Sequence, residues 1–401
     1  MFARIELPAA LALAVIALAA PALLLYCAAA QFALHFAVLL GRPQRTSEQK
    51  LFDGLLVLLC IVSLVNCLVS PFPDRSIPQA LRLLSGIGLI RAALGLPNNV
   101  KTLRTYFIGL GALSLTSAVA GHLSAFLPSL ELLAAPFFFI PANVGALLAP
   151  RSMLLSPRVR LLHLIAVLLG IFAVVRQFWN ASAWDATLIP ALVVGTTAAA
   201  LLRPARLQPA MQQALPVLLL LLGAAQLLLP LTPHQWALLL ADPSLEQRHE
   251  LWSRAAHVIR AFPFTGAGMD AFGPIVDALY PLTLSGATQD TQHTFLQIAT
   301  DTGIPGALIV SLIWLHSTRL LTARIRPAST SSTAHWMASY AIALQISVLI
   351  AGLSRVVLWG AAPLAPFAWL TFALAVRLSA RDMGPQQIQA TLQTTLQGDA
   401  R

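Results

Sequence analysis

Charge is what this sequence has least of. Only 10% of its 401 residues are Asp, Glu, Lys or Arg, while 58% are hydrophobic, and an ordinary soluble domain is about 25% charged. A water-soluble globule is thereby excluded. Cysteine is scarce as well. Cys27, Cys60 and Cys67 all lie inside apolar runs, where they support neither a disulfide framework nor a zinc site and read as small buried apolar side chains. Also missing are a GxxxxGK(S/T) phosphate loop, an HExxH helix, a CxxC pair and a clustered pair of outer carboxylates. Those absences disfavour ATP hydrolysis and metal-dependent transfer, so neither metal nor cofactor is expected. Internal repeats, coiled-coil heptads and low-complexity tracts are absent too.

What is present is a series of long apolar runs. A membrane-spanning helix needs roughly 20 apolar residues, and runs of that kind fall at about 51–71, 80–97, 103–121, 131–150, 160–178, 186–202, 213–231, 303–321, 336–354 and 362–378. The stretch 8–40 is too long for one ordinary span, and Pro21 can divide it into two helices. It is also too long for the h-region of a cleaved signal peptide. The expected fold is therefore all-α: one polytopic membrane bundle of about 12 transmembrane helices over residues 1–401.

The sign of the loops orients this bundle. With the N-terminus in the cytoplasm, the inner segments hold Arg4, the group Arg42, Arg45 and Lys50, the pair Lys101 and Arg104, and the group Arg151, Arg158 and Arg160. Further along they hold Arg203 and Arg206, then Arg319, Arg324 and Arg326, and last Arg377, Arg381 and Arg401. Lys and Arg accumulate in short cytoplasmic loops, so the sorting supports this orientation. The formal net charge of +10 does not point to nucleic acid, because the basic residues are scattered singly and form no dense basic stripe with interleaved aromatics.

One outer segment, 232–302 between spans nine and ten, is far longer than the others, and long loops without structure of their own are commonly functional. Residues 245–262 carry Leu251, Ala255, Val258 and Phe262 on one side, with Arg248, Trp252 and Ile259 on a neighbouring stripe, which predicts an amphipathic helix. Ser244 and Gln247 have capping-box spacing. Pro263, Gly266 and Gly268 then break the chain and read as a turn rather than as a nucleotide glycine motif, and a second short helix is expected near Met269. The polar stretch 281–292 reads as a connection. Asp290 is placed to cap a following helix whose first turn contains His293.

Near the positive end of a helix dipole an imidazolium is disfavoured, and a neutral ring suits a general base near neutral pH. The plainer reading of His293 is a loop histidine that only hydrogen-bonds locally. Arg176 closes one span, Arg248, Arg254 and Arg260 lie on the loop helix, and Arg355 sits where the eleventh span meets the outer surface. Guanidinium groups at a membrane edge are costly unless an anion or acceptor meets them, and their planar fork matches phosphate oxygens. For any one of them, snorkelling to lipid headgroups or an ordinary salt bridge is the competing reading. Arg82 and Arg91 are open to a structural role or a place on a polar cavity.

The run RHELWSRAAHVIRAFPFTGAGMDAF at 248–272, followed by QHTFLQIATDTGIPG at 292–306, resembles the signature of the O-antigen ligase and polymerase superfamily. The residues that carry the likeness are Arg248, Trp252, Pro263, Gly266, Gly268, Phe272, His293, Asp301, Gly303 and Gly306. Thr294 stands where that family commonly has Asn or Ser, and Asp301 where Glu is usual. The resemblance implies a metal-independent, inverting glycosyltransferase at the periplasmic face of the bacterial inner membrane. Its donor would be O-antigen polysaccharide on undecaprenyl diphosphate, and its acceptor a sugar hydroxyl of the lipid A core. In that scheme His293 is the general base, Arg248 is catalytic, and Arg176, Arg248, Arg254, Arg260 and Arg355 bind the diphosphate. An O-antigen polymerase would use the same donor. A transporter or flippase of anionic polyprenyl lipids is the rival from another class, although no inverted repeat or paired broken helices are visible.

Overall fold

A computed structural model of the chain describes residues 47–94, 157–180, 243–280 and 290–325, together with 143, 144, 147 and single positions between 338 and 359. The described residues are helical and include no strand. Six helices follow in order: α1 (Ser47–Val69), α2 (Pro73–Leu94), α3 (Pro157–Asn180), α4 (Pro243–Ala261), α5 (Phe272–Leu279) and α6 (Thr294–Ile325). The segments Lys50–Val69 and Thr294–Ala323 are long and apolar enough to cross a membrane. The expected spans at 8–40, 103–121, 186–202, 213–231 and 362–378 lie outside the described residues.

Helix α1 shows two faces. Phe52, Leu56, Leu59 and Ser63 are buried, whereas Leu51, Val57, Ile61, Leu64 and Leu68 are exposed. A run of exposed large aliphatics suits hydrocarbon rather than water. α1 packs on α6 and on α2. Between α1 and α2, Pro73 takes the first helical position, where its missing N–H costs nothing. Ser70 fastens the same corner: its Oγ accepts from Phe72 N and lies 2.8 Å from Ser76 Oγ.

The amphipathic helix forms as its pattern requires. α4 starts at Pro243, so Ser244 lies inside the helix rather than at its cap. Leu251, Ala255 and Val258 are fully buried and join Ala271, Phe272, Ile275, Val276 and Leu296 in one apolar cluster. α5 begins at Phe272, later than Met269, because Asp270 adopts a left-handed φ of 61° that holds the chain in a turn.

The break inside α6 decides how the loop sits. Gly303 has φ 70° and ψ −179°, and Pro305 follows two residues later. A helix continuing through this point would pair Ile304 N with Thr300 O, and Pro305 has no N–H to offer Asp301 O. Three backbone groups are therefore left for other partners, and the turn after α4 supplies them. Ala267 N donates to Thr300 O at 2.7 Å, Gly268 N to Asp301 O at 3.2 Å, and Ile304 N to Pro263 O at 2.8 Å.

So close an approach leaves no room for a side chain at Gly266 or Gly303. A Cβ on Gly266 would run into the Asp301 carbonyl and the Gly303 nitrogen, and one on Gly303 would lie 2.8 Å from the Pro263 and Phe264 carbonyl oxygens. Gly266 also has φ 68°. Gly266→Ala is expected to cost about 2–4 kcal/mol, from the left-handed backbone and the forced separation of turn and helix. Thermal unfolding of the purified protein checks this, and an unchanged midpoint would refute the interlock.

Candidate active site

His293 stands between α4 and the start of α6, where Gly352 O also meets the helix end. It is fully buried and occupies the position just before α6, not its first turn. Leu296 N donates to His293 Nδ1 at 3.3 Å, and Gln297 N donates to His293 O at 2.9 Å, so the imidazole itself caps the helix. Asp290, expected as the cap, instead accepts from Gln292 N at 2.8 Å and closes a local turn. Thr294 N, another orphan donor of the helix start, is satisfied by Gly352 O at 2.8 Å.

Because Nδ1 accepts the cap hydrogen bond, the neutral ring carries its hydrogen on Nε2. That nitrogen is buried with no hydrogen-bond partner among the described residues. Beside it, the Trp252 ring stands edge to face with the imidazole, centroids 5.5 Å apart and planes at 85°. Trp252 Nε1 is likewise buried and unpartnered among the described residues. Burial pushes the His293 imidazole down to about 4, against an opposing backbone hydrogen bond. The ring is therefore neutral at neutral pH, in line with its place at a helix N-terminus.

The loop that presents His293 is held by a buried polar chain. Thr291 Oγ1 donates to His293 O at 2.9 Å and accepts from His293 N at 3.3 Å. Thr291 N donates to Gln297 Oε1 at 2.8 Å, Gln297 Nε2 to Asp301 Oδ1 at 2.8 Å, and Trp359 Nε1 to Asp301 Oδ2 at 2.9 Å. The Asp270 backbone N–H also donates to the Asp301 carboxylate. Both oxygens of the buried Asp301 side chain are met by donors in this way, as a buried polar group requires. Gln297 and Asp301 share one face of α6 at i,i+4 spacing, and that spacing of two polar side chains is the signal that could have revealed Gln297. Trp359 and Gly352 had none.

The arginines divide. Arg248 is half-buried on α4, one helical turn before Trp252 and so a neighbour on the same stripe. Arg254 Nη2 pairs with Glu250 Oε1 at 3.5 Å, both partly buried, and Arg260 is exposed in the last turn of α4. Arg176 lies near the end of α3, and among the described residues α3 is not one of the helices packed closely on α4 or α6. Arg355 lies outside the described residues. Arg82 serves the structure, since its Nη1 donates to Gln79 Oε1, and Gln79 Nε2 donates to Asp270 Oδ2 at 3.4 Å. Among the described residues no three His, Cys, Asp or Glu side chains gather as metal ligands.

These features define a helical protein with two helices long and apolar enough to cross a membrane and a buried histidine set just before one of them, against the helix that carries Trp252 and Arg248. The family model described as O-antigen ligase matches residues 107–311, about half of the chain, and the protein belongs to that family. The match takes in α3, α4, α5 and the start of α6, with Arg176, Arg248, Arg254, Arg260, His293 and Asp301 inside it and Arg355 beyond it. No curated protein matches the chain. Family membership makes this an enzyme of glycosyltransferase type that acts on polysaccharide and lipid substrates.

The depressed imidazole has a consequence for stability. Between about pH 6.5 and pH 4 the unfolded chain takes up a proton at this position that the folded protein refuses, so stability falls as pH is lowered through that window. The loss is roughly 3 kcal/mol over the full interval. His293→Asn keeps a cap acceptor and removes the titration. Thermal unfolding of this variant between pH 7 and pH 4 should show a shallower decline than the wild type, and parallel curves would refute the assignment.

Proposed function

We propose that this protein is an O-antigen ligase proper. It transfers O-antigen polysaccharide from undecaprenyl diphosphate to a sugar hydroxyl of the lipid A core, at the periplasmic face of the bacterial inner membrane, without a metal and with inversion. The observation that carries this reading is the buried His293 imidazole, its Nε2 unpartnered among the described residues and its ring edge to face with Trp252, which follows Arg248 by one turn of α4.

Arg248 is the first contact for the diphosphate and stabilises the charge that develops as the bond from the anomeric carbon to phosphate breaks. Arg176, Arg254, Arg260 and Arg355 supply the surrounding positive field, Arg254 through whatever freedom its pairing with Glu250 leaves. His293 takes the proton of the attacking hydroxyl. To receive it at Nε2 the ring must hold hydrogen at Nδ1, which means giving up the Leu296 cap at a cost of about 1 kcal/mol. A nearby diphosphate favours the imidazolium by direct attraction, so the donor itself raises the affinity of this ring for the proton. Attack from the face opposite the departing phosphate, in one displacement, inverts the anomeric carbon.

The test is a transfer assay with purified protein, polyprenyl diphosphate-linked O-antigen and lipid A core. His293→Ala should remain folded and membrane-inserted while transfer drops about 10²–10⁴-fold. Arg248→Ala should lose more than Arg248→Lys, since Lys keeps the charge but not the fork. Transfer near the wild-type rate in His293→Ala would overturn the base role. Elongation of the carrier-linked glycan with no capping of the core would instead make the enzyme a polymerase.

A further inference from the structure

Two ring nitrogen atoms in this site have no partner among the described residues. Trp252 Nε1 and His293 Nε2 are both sealed from water, and neither has a hydrogen-bond partner among the described residues. An indole N–H is a donor and nothing else. With Nδ1 occupied by Leu296 N, the imidazole also presents N–H at its far nitrogen. A buried donor left unmade costs about 1–3 kcal/mol, and such groups in native proteins call for an explanation. Here two of them sit on rings that touch edge to face, carried by helix α4 and by the residue before α6. Folding gains nothing from either N–H, so their use lies with a guest that brings an acceptor.

We propose that Trp252 Nε1 and His293 Nε2 form a two-point site for one substrate oxygen, which makes Trp252 a substrate-contacting residue of the transfer reaction. This rests on the glycosyl-transfer reading for the identity of the substrate, though not for the existence of the site. The oxygen is an acceptor atom, either a sugar hydroxyl or a phosphoryl oxygen of a polyprenyl diphosphate. A phosphoryl oxygen accepts from both rings. A hydroxyl oxygen accepts from Trp252 while the imidazole, once released from its cap, takes the hydroxyl proton. Because both nitrogens are closed off from bulk water, local opening must admit the oxygen, and the bonds then form in a low-dielectric setting that strengthens them.

Trp252→Phe removes the N–H and keeps an aromatic ring against His293. Thermal stability should be unchanged or slightly higher, because the lost donor has no partner among the described residues. The kcat/KM for transfer should fall about tenfold, the equivalent of one hydrogen bond. Raised KM for the core acceptor assigns the oxygen to the hydroxyl, and raised KM for the lipid donor assigns it to the phosphoryl group.

An independent readout needs no turnover. In the full-length protein labelled with [15N-indole]tryptophan, the Trp252 signal is the one among the 8 tryptophans that vanishes in Trp252→Phe, and it should shift on adding farnesyl diphosphate or core oligosaccharide. A shift in a protein that performs no transfer would sink the reaction while leaving the site standing. Full kcat/KM in Trp252→Phe with an indole signal unmoved by both probes would overturn the site and leave the reaction intact. A fall in activity matched by a fall in unfolding temperature, with no shift, would reduce Trp252 to a packing residue and also overturn it.

Discussion

The arrangement depends on a helix that stops pairing with itself for one turn. At Gly303 the backbone leaves the helical region, and at Pro305 the next donor is missing. Thr300 O, Asp301 O and Ile304 N must then find partners elsewhere, since buried backbone groups left unpaired cost as much as lost hydrogen bonds. Residues 263–268 meet all three. The turn after α4 is thereby tied to one register on α6, and α4 with its Trp252 and Arg248 is tied with it. The turn has a second anchor. Ser70 Oγ donates to Ala267 O at 3.2 Å, and a Cβ at Gly268 would strike the Ser70 and Ser76 side chains. The GAG turn is thus held between α6 on one side and the α1–α2 corner on the other.

The histidine inherits its properties from the same helix. A first turn of α6 that ran back through residue 293 would place the imidazole on the helix surface. Instead the chain turns in at Gln292, with φ 52°, and the ring folds over the helix end to accept from Leu296 N. Capping and neutrality reinforce each other. Protonation of Nδ1 would oppose the Leu296 N–H, and a charged ring would sit without water beside the positive end of the helix. The resting imidazole is consequently a donor at Nε2.

Much of this is legible in the residues, and the departures have physical causes. α4 can be read from the spacing of Leu251, Ala255 and Val258 because its two faces meet different surroundings. α5 starts later than its sequence suggests because a left-handed Asp270 is set by contacts to Gln79 and to Asp301, from other helices, and leaves no local mark. Asp290 is a better cap than His293 by intrinsic preference. Tertiary burial of the ring overrides that preference. The glycines at 266, 268 and 303 are visible as a pattern, but their shared reason, a backbone-to-backbone approach between two segments, emerges only when those segments are placed together. The likeness of 248–272 and 292–306 to a family motif carries the enzyme class, and the family match over 107–311 shows it. The layout of about 12 spans falls largely outside the described residues, and two spanning candidates stand within them.

Asp301 explains why one short motif serves both structure and chemistry. Its backbone carbonyl receives the GAG turn, while its side chain receives Gln297 and Trp359. Gln297 in turn holds Thr291 N, and Thr291 holds the backbone of His293. A single residue therefore sets the loop carrying Trp252 from its main chain and the loop carrying His293 from its side chain. The short Asp301 side chain reaches the Gln297 amide four residues earlier on its own helix at 2.8 Å. An added methylene would have to fold back or push the Trp359 indole outward, in an interior where spare volume is scarce. The placement of Trp359 against α6 and the length of this acid are then one constraint, which reaches the turn after α4 through the main chain and the residue before α6 through Gln297 and Thr291.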